Sequence, residues 1–266
     1  VYRISPAQTT LLTELLTGGI DVYMQPNPEQ AQRIEDHPDV ELIRYPSRTY
    51  VFVAWNSRRP QLADARVRRA LTLATDRATA VEAILQGSAR VADGTVPPFH
   101  WAYDPEGPSL PYDPVAAGAL LTEAGWVDRN GDGVRENPDG VPLDITIKTL
   151  AGNAQRADLA QVMQAQLGEV GVGVRVEVVE GSTLMSQIND VEARDFDAVV
   201  LGLTVEFFLS DRDLLHSDRL EGLYAWSGTD NAEIDRLIDA TALESDRTRA
   251  TELWREYQTV VAEEQP

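Results

Sequence analysis

Residues 128 to 136, DRNGDGVRE, place Asp128, Asn130 and Asp132 at alternate positions and follow them with Gly133. Oxygen donors at positions one, three and five with glycine at six open a calcium-binding loop, because a hard cation wants several oxygens gathered by one tight turn. Two features point the other way. Loop position twelve, which supplies a bidentate glutamate in such sites, is Asp139 preceded by Pro138. The segment that follows, VPLDITIKT, alternates Val141, Leu143, Ile145 and Ile147 like a strand, where a calcium-binding unit needs a second helix. Asx and glycine residues are also ordinary turn material. The run is read as a turn between a helix and a strand, and no metal or cofactor is assigned.

Other reactive constellations are missing. There is no G-x-S-x-G elbow, no G-x-x-x-x-G-K-[ST] phosphate loop and no H-E-x-x-H pair. His37, His100 and His216 stand singly, and zero cysteines exclude disulfides, thiolate metal sites and cysteine nucleophiles. With 43 acidic against 23 basic residues, two carboxylates close in sequence carry little information, and a carboxylate-based hydrolase stays only as an alternative. The net charge of -20 argues against nucleic acid and against anionic membrane surfaces, both of which would repel it. No apolar run reaches the roughly 18 residues of a membrane span. The opening VYRISPAQTT lacks the basic start and apolar core of a signal peptide.

The elements that must position any site read as α/β. Ser5-Pro6 starts a helix carrying Leu11, Leu12, Leu15 and Leu16, and IDVYM (20–24), VELIRY (40–45) and TYVFVAWN (49–56) read as strands. Asp64, Asp76 and Asp113 read as helix caps, the last before Pro114. Strand 143–149, helix 154–169 and strand VGVRVEVVE form one crossover unit. Helix 182–193 and strand FDAVVLGL form the next. Such alternation implies a mainly parallel sheet with flanking helices, whose ligands gather at the carboxyl ends of the strands. That places Glu206 and Phe207, just past FDAVVLGL, where a ligand could be met. From Thr229 onward the pattern is helical, with Ile234, Leu237, Ile238, Leu243, Leu253, Trp254 and Tyr257 on apolar faces.

Residues 91 to 114 break the periodicity with six prolines among Phe99, His100, Trp101, Tyr103 and Tyr112. Long loops rich in rings are commonly functional, so this one is expected beside a cleft. Tyr50, Asn56, Trp101 and Trp226 are cleft candidates, because they fall at strand ends or in aromatic loops where stacking and hydrogen bonding orient a ligand.

Four stretches, LLTGGIDVYMQPNPEQAQRI, TYVFVAWNSRRPQLADARVRRALTLATDRATAVEAILQGSA, YDPVAAGALLTEAGWVDRNGDGV and NAEIDRLIDATALESD, resemble in order the family 5 solute-binding proteins of ABC importers. The most specific pieces are D-x-R-V-R-x-A-L followed by A-x-D-R, and Y-D-P-x-x-A-x-x-L-L-x-E-A-G-W. The resemblance implies a periplasmic-binding-protein-like fold of type II (cluster C). It further implies a bilobal protein that closes on a peptide, nickel complex or oligosaccharide outside the cytoplasmic membrane and passes it to permease subunits. Residues 1–48 would be the tail of the N-terminal lobe, with a hinge near 45–55. Residues 49–266 would be the C-terminal lobe without a final return segment. A signal peptide or lipid anchor would lie outside this stretch, and a sensor or interaction module of the same fold is the remaining alternative.

In peptide-binding members of that family a strand ending G-W-x-A-D supplies an aspartate that pairs with the ligand's amino terminus. The corresponding run here is Gly202-Leu203-Thr204-Val205-Glu206. Glu206 keeps the charge, while Leu203 replaces the tryptophan and Val205 the alanine. Further on, D-P becomes Asp211-Arg212-Asp213.

Overall fold

The computed structural model describes residues 8–206 and 208–266. Helix ends are set by local chemistry. Asp64 accepts the Arg66 amide at the start of α3 (Ala65–Leu73), Asp76 that of Thr79 at α4 (Arg77–Leu85), and Asp113 that of Ala116 at α5 (Pro114–Glu123). Each such cap satisfies a donor that the helix cannot, and is worth about 1 kcal/mol. Gly125, at φ +92°, takes the left-handed conformation that ends α5. Two helices precede these, α1 (Gln8–Leu16) and α2 (Pro28–Glu35), and pack on one another through Leu12, Leu15 and Ile34.

One four-stranded sheet carries the rest. Its strands are β1 (Thr49–Trp55), β2 (Asp144–Leu150), β3 (Gly173–Val179) and β4 (Ala198–Thr204), in the order β1-β4-β2-β3. β2 runs parallel to both β3 and β4, and β1 closes the edge antiparallel to β4. The connections are α6 (Ala154–Glu169), which joins β2 to β3, and α7 (Gly181–Asn189), which joins β3 to β4. Strand alternation sends Ala198 and Val200 of β4 to one face, with Ala160, Met163 and Leu167 of α6. Val199 and Leu201 face the other side, with Leu184 and Ile188 of α7. The two crossovers therefore cover opposite faces, and the crevice between β2 and β4 opens where the chain changes direction.

Beyond the sheet, α8 (Arg212–Leu215), α9 (Ala232–Leu243) and α10 (Arg247–Glu264) follow. Residues of α9 and α10 enclose Val96 and Ala102 of the ring-rich loop in a separate apolar cluster.

The sheet, its mainly parallel pairing and its flanking helices agree with the expectation. Several local readings do not. Residues 20–24 and 40–45 are not strands. Val22, Met24, Ile43 and Tyr45 on them are exposed, and no ladder partner lies beside them among the described residues. An extended segment needs a neighbour to satisfy its backbone groups, and side-chain pattern alone does not supply one. Val141 is exposed, although Leu143, Ile145 and Ile147 are buried, and the strand itself begins at Asp144. α7 stops at Asn189 rather than 193, and Leu243 at the end of α9 is exposed. The expected helix start at Ser5-Pro6 lies outside the described residues.

Candidate ligand-binding site

The carboxyl end of β4 overshoots its neighbour. Parallel pairing of Thr149 with Val200 sets Leu150, the last residue of β2, beside Leu201, so Gly202, Leu203 and Thr204 project beyond β2. β1 accompanies them, with Tyr50 opposite Leu203 and the hydroxyls of Thr49 and Thr204 3.1 Å apart. The pairing continues one residue past the strand. The Val205 amide donates to the Arg48 carbonyl at 2.9 Å, and the Arg48 guanidinium donates to the Val205 carbonyl at 3.2 Å. Glu206 follows, its carboxylate 3.6 Å from Arg48 and 77% exposed. An exposed carboxylate with one cation beside it at the mouth of a switch-point crevice can accept hydrogen bonds from an amine. Tyr50, half-buried on the same projection, has its hydroxyl pKa raised by burial and then by the charge of Asp211.

Asp211 is the acid that the sequence understated. It is buried, and its Oδ2 accepts from the Tyr257 hydroxyl of α10 at 2.5 Å and from the Thr95 hydroxyl. Burial raises its pKa against the lowering effect of those two bonds. The pair links residues 46 positions apart and anchors the segment that follows Glu206 to α10. A cavity of about 180 Å³ opens beside it, lined by Trp101, Phe208, Ser210, Asp211, Thr241 and Trp254 among others. Trp101 forms part of that wall, half exposed, with the Arg247 guanidinium 3.8 Å from its ring centroid. Tyr103 packs on the α9–α10 cluster instead.

Glu206, Tyr50 and Trp101 thus lie on or beside the carboxyl end of the sheet, with Asp211 bonded to the loop that carries Trp101 and charge-coupled to Tyr50. Asn56 is placed elsewhere. It follows β1 at the amino end of β4, is buried, and its amide donates to the Arg194 and Phe196 carbonyls. Trp226 is also interior. Its indole donates to Asn189 at 3.1 Å and its ring stacks on Phe52, 6.0 Å between centroids, with Tyr50 the next ring beyond Phe52 at 5.5 Å. Phe207 lies outside the described residues.

The acidic run is a turn closed by the bridges Val127–Glu136 and Glu136–Pro142. Asp128 accepts from the Gly131 and Gly133 amides, Asn130 from that of Asp132, and Asp132 from that of Val134. Oxygens of Asp128, Asp132 and Glu136 lie within 4.8 Å of one another, a donor set that suits a hard cation. The third carboxylate is Glu136 at loop position nine, not Asp139. The Glu136 side chain is turned inward by the Arg129 amide, which donates to its Oε2 at 2.9 Å.

Comparison with known proteins agrees with this architecture. Residues 1–217 match the family described as bacterial extracellular solute-binding proteins, family 5 Middle. The chain belongs to that family. It is 34% identical to the oligopeptide-binding protein AppA of Bacillus subtilis, over all of this chain and 49% of the relative. It is 25% identical to the dipeptide-binding protein of Escherichia coli, over all of this chain and 48% of the relative. The solved structure of Bacillus subtilis AppA in complex with a nonapeptide superimposes with a TM-score of 0.89 at 31% identity, covering all of this chain and 52% of that one. A nickel-histidine complex of NikZ from Campylobacter jejuni shares the fold, with a TM-score of 0.83 at 20% identity over 97% of this chain and 51% of that one. The chain spans about half the length of the relatives it matches, and its fold is that of the periplasmic peptide-binding proteins. The family is one of bacterial extracellular solute-binding proteins. No described helix is long and apolar enough to cross a membrane.

Proposed function

We propose that this family 5 chain serves as the solute-binding component of an ABC importer, holding a peptide or similar small solute between two lobes and delivering it to the permease subunits. It acts in the periplasm or at the cell surface and turns nothing over. Residues 49–266 supply one wall of the cleft, residues 1–48 belong to the tail of the other lobe, and the segment 45–55 between them is the hinge about which the lobes close. The observation that carries this reading is the projecting end of β1 and β4, which presents the exposed Glu206 carboxylate at a switch-point crevice. The peptide-binding relatives support the ligand class. A solute amine bound to Glu206 gains a charge-assisted hydrogen bond worth about 1.5–3 kcal/mol. In the whole gene product, Glu206→Gln should therefore weaken peptide binding about tenfold or more by calorimetry. Unchanged affinity removes Glu206 from the site.

A further inference from the structure

Asp211 is 5% exposed, and both of its side-chain hydrogen bonds, from the Tyr257 and Thr95 hydroxyls, fall on Oδ2. Oδ1 accepts none among the described residues, and no basic side chain there acts on the carboxylate. A buried acceptor left in this way costs free energy, because water is excluded and no protein donor replaces it. What lies beside it is the cavity of about 180 Å³.

The cavity has a definite chemistry. Trp101 and Trp254 give it ring surface, and among the described residues its charged lining is Asp211 and Glu244, both acidic. Trp101 already holds the Arg247 guanidinium 3.8 Å from its ring centroid, so one of these rings accepts that group. A guanidinium is weakly hydrated and stacks on aromatic faces, which lets it enter a half-dry space more readily than an ammonium does. A cavity of about 150 Å³ takes a benzene-sized group, so this one suits a single side chain rather than a whole solute. It also lies near the candidate site. Phe208, 77% exposed, lines it between Glu206 and Asp211, and five residues of chain span at most about 18 Å.

We propose that this cavity takes an arginine side chain of the solute, with Asp211 Oδ1 accepting from the guanidinium and the rings of Trp101 and Trp254 packing on it. The assignment rests on the solute-binding reading above and narrows it to peptides that carry arginine near their amino end. Ala250 belongs to the device, because its small side chain leaves the space open.

The test is capture of two pentapeptide pools by the whole gene product, with mass-spectrometric readout. One pool carries a single arginine at the second, third or fourth position, the other citrulline, which has nearly the same shape and no charge, and neither contains another charged side chain. The wild type should prefer the arginine pool at least about tenfold, the discrimination expected of one charge-assisted hydrogen bond in a desolvated site. Asp211→Asn, which removes the charge and keeps the shape, should bring that preference close to unity. Ala250→Leu, which fills the space and leaves the carboxylate, should do the same independently. Glu206→Gln should lower capture of both pools and leave their ratio in place. Equal capture of the two pools by the wild type, or a preference that survives either Asp211→Asn or Ala250→Leu in folded protein, overturns the arginine assignment and leaves the peptide reading standing. Capture of neither pool removes the peptide reading and this assignment with it.

Discussion

Arg68 in α3 is 1% exposed, and its guanidinium joins the end of α10 to the turn before α3. It donates to the Leu62 and Ala63 carbonyls at 2.7 and 2.9 Å, and to the Glu264 and Gln265 carbonyls at 2.8 and 2.9 Å. It also forms an ion pair with the Glu264 carboxylate. Arg68→Ala strands four carbonyls and one carboxylate at once. The individual bonds do not add, since water enters the space left behind, so the relevant scale is that of breaking a buried ion pair, about 3–5 kcal/mol. For a chain of this size each kcal/mol lowers the melting temperature by roughly 2–4 °C, which gives a fall of about 6–20 °C. Urea denaturation of the wild type, Arg68→Ala, Glu264→Ala and the double variant measures both the loss and the coupling. The coupling should be about 1–3 kcal/mol, as expected of groups in direct contact. A loss below about 1 kcal/mol in Arg68→Ala would refute the reasoning, because a solvated surface arginine costs no more than that.

Asp211 carries a pH dependence of definite sign. Its folded pKa is raised by burial, so the stability it contributes is complete below the unfolded value of about 3.9 and is lost as pH rises through the folded value. Asp211→Asn, which keeps an acceptor for Thr95 and Tyr257, should be more stable than the wild type at neutral pH and should lose the advantage in acid. Denaturation across that range checks it, and a variant less stable than the wild type at neutral pH contradicts it. The turn at 128–136 should respond little to calcium. The melting temperature of chelator-treated protein should stay within about one degree on adding the ion, whereas occupancy at a hundredfold excess over Kd would add about 2.7 kcal/mol by linkage. A calcium-dependent rise of several degrees that Asp132→Ala abolishes would make the cluster a metal site.

What the sequence determined on its own is what nearest neighbours decide. The caps at Asp64, Asp76 and Asp113 hold as expected, since a cap is a contact between residues two or three apart. Helix 154–169 has the expected bounds, fixed by Asn153 at one end and the left-handed Gly171 after the other. The run Gly202 to Glu206 reads as the end of a strand before a loop, because that order is legible in one dimension. The segments 20–24 and 40–45 have strand composition but no ladder, because a strand exists only through pairing with backbone distant in sequence. Residue type likewise could not separate Asn56 and Trp226, whose polar groups are bonded in the interior, from Tyr50, which lies on the projecting end of β1 and β4. The overshoot of β4 past β2, the guanidinium of Arg156 lying on Gly202, the bond from Tyr257 to Asp211 and the turning of Glu136 toward Asp128 and Asp132 all join residues by register or packing. Only the tertiary structure decided these, because burial and the satisfaction of buried polar groups belong to the assembled core and are set by which surfaces meet.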